Sequence, residues 1–288
     1  MYRKLLVGYD DSPASRAALA EAAHWVKRHG GELALVHAVF FDTEEFGIAP
    51  EQLEKRAALG RRLCTTAVQS VGAAPGVPAR SIICEGEPPE VILDAAKSGD
   101  ADLIVLGTYG RRGLRRMLMG SVTAQVIGKA RADVLVVHRP CQECRGEYRS
   151  LLVPYDGSTF SRAAVERACE LAAADNAAVT ALYAIPRYEE MVGFLRTEGI
   201  RARLNEEAGK IVAEAAAIGA AHGVRVATTV ADGAPVDRIV EAVKQSGFDL
   251  VVMGSHGHQG VERALLGSTA ERVVVHAPCP VLVAKERS

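Results

Sequence analysis

"YRKLLVGYDDSPASRAALAEA" runs from Tyr2 to Ala22, and "YRSLLVPYDGSTFSRAAVERA" runs from Tyr148 to Ala168. The two align without a gap. Each opens with a short apolar run, passes through Tyr-Asp and continues into an alanine-rich segment. A short apolar run that ends in a turn signal reads as a buried strand, and the segment after it as a helix. In the first copy Ser12 or Asp11 is the candidate cap, Pro13 suits the first helical turn and Gly30 the stop.

The match extends far beyond these openings. Asp10 and Asp156 stand 146 residues apart, whereas Gly107 and Gly254, like Gly120 and Gly267, stand 147 apart. The offset drifts by one residue over the length of the unit, which identifies a tandem duplication of a unit of ordinary domain size. We expect domains at 1–140 and 148–288, joined by 141–147 within the polar stretch "HRPCQECRGEY". Within the first unit the expected strands are "KLLVGYD", "ELALVHAVF", "ARSIICEG", "ADLIVLG" and "ADVLVVH". Helices are expected at 51–71, 88–97 and from Ser121 to Ala130, besides the one after Asp11. The second unit repeats the order to "CPVLVAK". Continuous apolar strands alternating with helices imply a parallel sheet covered on both faces. The fold class is α/β: two tandem, doubly wound, Rossmann-like sandwich domains, each with a five-stranded parallel sheet.

Composition narrows the function. The chain has 288 residues, 49% hydrophobic and 24% charged, with a net charge of −1. No global field draws it to nucleic acid or to anionic lipid. Aromatics at 5% argue against a base-stacking surface. No apolar run approaches the roughly 20 residues that span a bilayer, and "MYRKLLVGYDDS" meets Asp10 and Asp11 too early for a signal peptide. The expected location is cytoplasmic, with the six cysteines mostly reduced.

Two further stretches carry the chemistry: "GTYGRRGLRRMLMGSV" from Gly107 and "GSHGHQGVERALLGST" from Gly254. Both read Gly, two residues, Gly, nine residues, Gly-Ser. In open α/β sheets ligands bind at the carboxyl ends of the strands, and Gly107 and Gly254 end strands there. Glycine lets a ligand approach the backbone closely. Gly267-Ser268-Thr269 opens a helix, whose first turn offers unpaired N–H groups and partial positive charge. The pattern reads as a phosphate cradle made of two separated glycine turns; the alternative is turns and nothing more. Neither a P-loop nor a G-x-G-x-x-G fingerprint is present. Asp10 and Asp156 close the first strands on the same edge. Each can accept from a ribose hydroxyl or help hold a divalent cation, or it can serve as a cap or turn residue.

The repeated G-x2-G-x9-G-[ST] with an Asp closing the first strand resembles the universal stress protein family, in its tandem form and its adenine-nucleotide-binding branch. The resemblance covers essentially the whole chain and implies an adenine nucleotide alpha hydrolase-like fold with two sites for ATP (or ADP or AMP), with or without Mg²⁺. In the second site it implies Pro154 and Asp156 beside the adenosine and Ala184 reading the adenine edge. Met253 and Gly254 would line the site, Gly257 would approach the phosphates, and Gly267, Ser268 and Thr269 would bind them. In the first site the matching positions are Gly8, Asp10, Ala38, Leu106, Gly107, Gly110, Gly120, Ser121 and Val122. Ala38 and Ala184 stand where the family often has Val, Gly8 stands where the second unit has Pro154, and the first loop is basic, with Arg111, Arg112, Arg115 and Arg116. These arginines suit phosphates or an acidic partner, or a solvated face. In the family, domains pair through their last strands, which implies an intramolecular pseudo-dimer here and leaves a homodimer open.

The pattern supplies binding rather than catalysis. Phosphoryl transfer needs a residue that orients the attacking group, and His256, expected to be a solvated loop residue, has Tyr109 as its counterpart. The expected function is nucleotide-dependent stress response or signalling through an unknown protein partner, with no catalytic residues and at most slow ATP hydrolysis. Two other readings stand beside it. One is a scaffold with vestigial sites. The other is a redox or metal protein built on His138, Cys141 and Cys144, although a structural zinc site needs four ligands. Cys84 and Cys169 are expected to be buried, and no metal site is assigned.

Overall fold

The computed structural model describes residues 1–40, 50–72, 76–108, 119–138, 146–186, 198–257 and 266–286. The chain divides into two compact units, Tyr2–Glu147 and Tyr148–Ser288.

Among the described residues of the first unit five strands, β1 (Lys4–Gly8), β2 (Glu32–Val39), β3 (Ala79–Glu85), β4 (Leu103–Gly107) and β5 (Asp133–Val137), alternate with four helices. These are α1 (Pro13–His29), α2 (Pro50–Gly72), α3 (Pro88–Ser98) and α4 (Ser121–Lys129). The second unit repeats them as β6 (Ser150–Pro154), β7 (Ala178–Ile185), β8 (Val226–Asp232), β9 (Leu250–Gly254) and β10 (Val281–Ala284). Its helices are α5 (Thr159–Asp175), α6 (Glu198–Ala221), α7 (Pro235–Ser246) and α8 (Ser268–His276). The strand order is β3-β2-β1-β4-β5 in the first unit and β8-β7-β6-β9-β10 in the second. The strand pairs within each unit are parallel. The order reverses beside β1 and β6, so a crevice opens next to Gly8 and Pro154 at the carboxyl edge.

Apolar strand residues build each core. Val7, Leu35, Ile104 and Val134 in one unit, and Leu152, Val153, Val251 and Val283 in the other, are shut off from solvent. Each such side chain contributes roughly 1.5–3 kcal/mol by leaving water. At the amino edge a carboxylate pins the start of the central strand. Asp102 accepts from the N–H groups of Arg3 (2.7 Å) and Lys4 (3.0 Å). Asp249 accepts likewise from Arg149 (2.7 Å) and Ser150 (3.0 Å). Burial raises the pKa of Asp249, and these donors pull against the shift.

The helix caps follow the sequence. Ser12 caps α1, its side chain accepting from Ser15 N–H at 3.2 Å, and Gly30 closes that helix with a positive φ of 75°. Ser158 caps α5 in the same way. Gly107 and Gly254 also serve packing. A Cβ on Gly254 would sit 2.6 Å from the Cβ and 2.7 Å from the carbonyl carbon of Phe160. A Cβ on Gly107 would sit 2.6 Å from the carbonyl carbon of Ala14. The missing side chain makes room for the first turn of α5 or α1, which packs onto the strand end.

The cysteine expectation needs one correction. Cys169 is buried, but Cys84 is exposed. It lies on β3, the outermost strand in its unit's order, where an apolar-looking run has no neighbour on one side. Burial pushes the thiols of Cys64 and Cys169 up to about 11, so neither is a thiolate at neutral pH.

Two measurements test this packing. Gly254→Ala should lower the stability to urea by about 1–3 kcal/mol, because backbone must move to admit the methyl group. Gly209→Ala, in α6 where an added Cβ meets open space, should be neutral or stabilising by up to about 1 kcal/mol. Similar losses for both would contradict the close approach. With Cys141 and Cys144 replaced by serine, the folded protein should show one fast thiol, that of Cys84, with the buried Cys64, Cys169 and Cys279 reacting only on unfolding.

Candidate functional site

The cleft of the second unit grows from the turn between β6 and α5. The backbone turns sharply after Asp156, and Gly157 adopts a φ of 82°. Asp156 braces the turn: its Oδ1 accepts from Ser158 N–H at 3.0 Å and from the Ser158 hydroxyl at 2.6 Å. Ser161 Oγ accepts from Asp156 N–H at 3.4 Å and donates to Ser158 O at 3.0 Å. Asp156 is therefore a turn residue, one of the roles open to it from sequence. Its second oxygen faces Gly257, and a Cβ on Gly257 would collide with it. The turn after β1 is built alike, with Asp10 Oδ1 accepting from Ser12 N–H at 3.0 Å and Ser15 Oγ accepting from Asp10 N–H at 3.3 Å. The motif D-x-S-x2-S, present in both units, is the signal that would have found Ser15 and Ser161.

The opposite wall is the start of α8. Gly267 is its N-cap and has no side chain with which to satisfy the first-turn N–H groups. A hydrogen bond from Gly267 N–H to Ser255 O, 2.9 Å, pinches the two ends of the glycine loop together. The first unit repeats it from Gly120 N–H to Thr108 O at 2.8 Å, with Gly120 the N-cap of α4. Ser121 and Ser268 are exposed, and Val122 and Thr269 are half-buried. Beneath the first pinch the Thr108 hydroxyl is buried without a hydrogen-bond partner among the described residues. Thr123 Oγ1 donates to Gly107 O at 2.9 Å, a tie between α4 and the strand end that Ala270 cannot make in the second unit.

His256 is not a solvated loop residue. It is half-buried, with its ring centroid 5.3 Å from that of Phe160 and its Nδ1 3.1 Å from Ser255 Oγ. It steers the chain as it leaves β9. Sequence gave no warning of this contact, because it joins the first turn of α5 to a loop far along the chain.

The remaining predicted positions fall on the same edge. Ala184 is on β7, two residues past Leu182, the partner of Pro154. Ala38 has the same relation to Gly8, whose partner is Val36. Met253 and Leu106 are buried at the ends of β9 and β4. A Cβ on Gly8 would lie 2.6 Å from Leu106 Cδ2 and 3.2 Å from Ile92 Cδ1, so these side chains crowd the space that Pro154 takes in the second unit. Gly110, Tyr109 and the four loop arginines lie outside the described residues, as do Cys141 and Cys144. Among the described residues no cluster of three or more His, Cys, Asp or Glu could hold a metal ion. No helix among them is long and apolar enough to cross a membrane.

In the second unit the Asp156 carboxylate meets Gly257, and a glycine-capped helix start is tied to the end of β9; in the first unit Asp10 and the Gly120-capped start of α4 stand at the matching positions. Comparison with known proteins agrees with the doubled architecture. A universal stress protein of Mycolicibacterium smegmatis is 29% identical over 293 residues, covering 98% of this chain and 97% of that protein. One of Mycobacterium tuberculosis is 30% identical over 294 residues, covering 98% and 96%. The crystal structure of a universal stress protein from Archaeoglobus fulgidus superposes with a TM-score of 0.70 at 22% identity, over 98% of this chain and 97% of that one, and so shares the fold. The model of the universal stress protein family matches twice, over residues 1–138 and 147–285. The chain belongs to the universal stress protein family.

Proposed function

We propose that the chain binds adenine nucleotides, ATP foremost, in the cleft of each unit, and acts in stress response or signalling through the conformation that binding imposes. The observation that carries this reading is the glycine-capped start of α8, pinched against the end of β9, with its counterpart at α4. First-turn N–H groups with no side-chain acceptor, reinforced by about half a unit of positive charge, suit phosphate oxygens. Ser268 and Thr269 add hydroxyl donors. The carboxylate of Asp156 suits the other end of the ligand, where ribose hydroxyls donate. Pro154 and Ala184 then flank the adenosine, Met253 and Gly254 close the floor, and Gly257 leaves room beside Asp156. The first cleft uses Gly8, Asp10, Ala38, Leu106, Gly107, Gly110, Gly120, Ser121 and Val122 in the same places. Its crowding by Leu106 and Ile92 makes the second cleft the better formed.

We read the cleft as a binding site rather than a catalytic one. His256 packs against Phe160, and its counterpart in the first unit is Tyr109, not a histidine. Any ATP hydrolysis is slow and incidental. Mg²⁺ enters with the phosphates, and a bound nucleotide orders the glycine loop and so alters the surface that a protein partner meets. The site of action is the cytoplasm.

Calorimetry with ATP and Mg²⁺ tests the reading. Native protein should bind at two sites, and Gly267→Val at one, with circular dichroism unchanged. An added Cβ on Gly267 already lies 3.1 Å from Ser255 O and 3.3 Å from His256 Cα, so the valine disturbs the pinch directly. Absence of binding heat in the native protein would overturn the proposal.

A further inference from the structure

Away from the clefts, the two units end their sheets differently. β3 and β8 are the outermost strands in their units' orders. β8 pairs with β7 in one unbroken parallel register, from Val226 beside Val179 to Asp232 beside Ile185. Among the described residues nothing pairs with its other edge. Seven residues without a bulge leave an unbroken row of backbone donors and acceptors there. α6 covers only the start of the strand: Val226 is buried, and its side chain takes the space that a Cβ on Gly219 would need. From Ala227 to Val230 every residue is exposed, so both faces of the edge are open. Val230, at 37%, is the one large apolar side chain exposed on a strand among the described residues.

Proteins usually blunt such an edge with charge, proline or a bulge. β3 follows the rule in part. Arg80 stands where β8 has Ala227, and Ile82 and Ile83 are half-buried where Thr229 and Val230 are exposed. Between Val226 and Ala231, β8 has no charge, no proline and no bulge. Thr228, Thr229 and Val230, at its middle, are β-branched, the type that suits a paired strand.

An open edge of this kind takes another strand, and β8 is complementary to itself. When two identical strands pair antiparallel about a two-fold axis, each side chain keeps its side of the sheet, so one residue must face its own copy. An axis at Thr229 lets all seven residues pair. Thr229 then meets Thr229, Thr228 meets Val230, Ala227 meets Ala231 and Val226 meets Asp232. β-branched residues oppose one another at the centre, and no like charges do. The charges lie at the ends, with Arg225 before the strand and Asp232 closing it. Antiparallel alignment brings each Arg225 beside Asp232 of the partner subunit, whereas parallel alignment in register would set like charges together. Side-chain type and charge therefore both select a second copy of this chain.

We propose that the chain forms a homodimer by antiparallel pairing of β8 with β8 about Thr229, which continues the second unit's sheet into that of the partner. β3, carrying Arg80, takes no part.

Sedimentation velocity on the full chain at rising concentration should show a monomer–dimer equilibrium. Thr229→Lys sets two ammonium groups face to face on the axis. It should remove the dimer up to the highest soluble concentration, with the thermal transition in place because the position is exposed. Disulfide trapping, with Cys84, Cys141 and Cys144 replaced by serine, reads the register. Thr229→Cys should cross-link on mild oxidation about tenfold faster than Thr228→Cys or Val230→Cys alone, whose copies lie a diagonal apart. Thr228→Cys combined with Val230→Cys should cross-link as readily as Thr229→Cys. A monomer at the highest soluble concentration, a dimer that survives Thr229→Lys, or equal cross-linking at the three single positions would overturn the proposal.

Discussion

Both clefts depend on one steric constraint: the backbone of α1 or α5 must come within van der Waals range of the end of β4 or β9. Only a residue without a Cβ permits that, because the space a side chain would need is taken by Ala14 beside Gly107 and by Phe160 beside Gly254. The close approach has two consequences. It places the acidic turn after the first strand against the glycine loop, so that Asp156 and Gly257 meet. It also sets Phe160 against His256, beside the Gly267–Ser255 hydrogen bond that joins the start of α8 to the end of β9.

Electrostatics then divides each cleft. The turn after the first strand presents a carboxylate already braced by two donors in the second unit. The helix facing it presents N–H groups that its glycine N-cap cannot satisfy. A ligand that bears donors at one end and negative charge at the other complements this division, and a nucleoside phosphate is such a ligand. Duplication supplies the division twice, and small substitutions make the copies unequal. Gly8 for Pro154 lets Leu106 lean inward, and Thr123 for Ala270 adds a tie.

Much of this was legible in the sequence. Runs such as "LLVGYD" and "LIVLG" gave the strands because apolar residues flanked by turn signals have few other places to go. Ser12, Pro13 and Gly30 marked α1 because caps and stops have local causes. The edge carrying Asp10, Asp156 and the glycines followed from strand direction. Features set by spatial neighbours were not legible. The run "SIIC" looks buried until β3 is known to be outermost, which exposes Cys84. That Gly254 also makes room for Phe160 shows only when the two are seen side by side. His256 looks solvated because Phe160 lies nearly a hundred residues earlier.

Amide chemical shifts followed by NMR during titration with ATP test the central claim most directly. The account predicts that the amides of Ser268 and Thr269 move early and saturably, with those of Ser121 and Val122 following as the first cleft fills. If ATP shifts other amides while these four stay in place, the helix starts are not the phosphate site and the account is wrong.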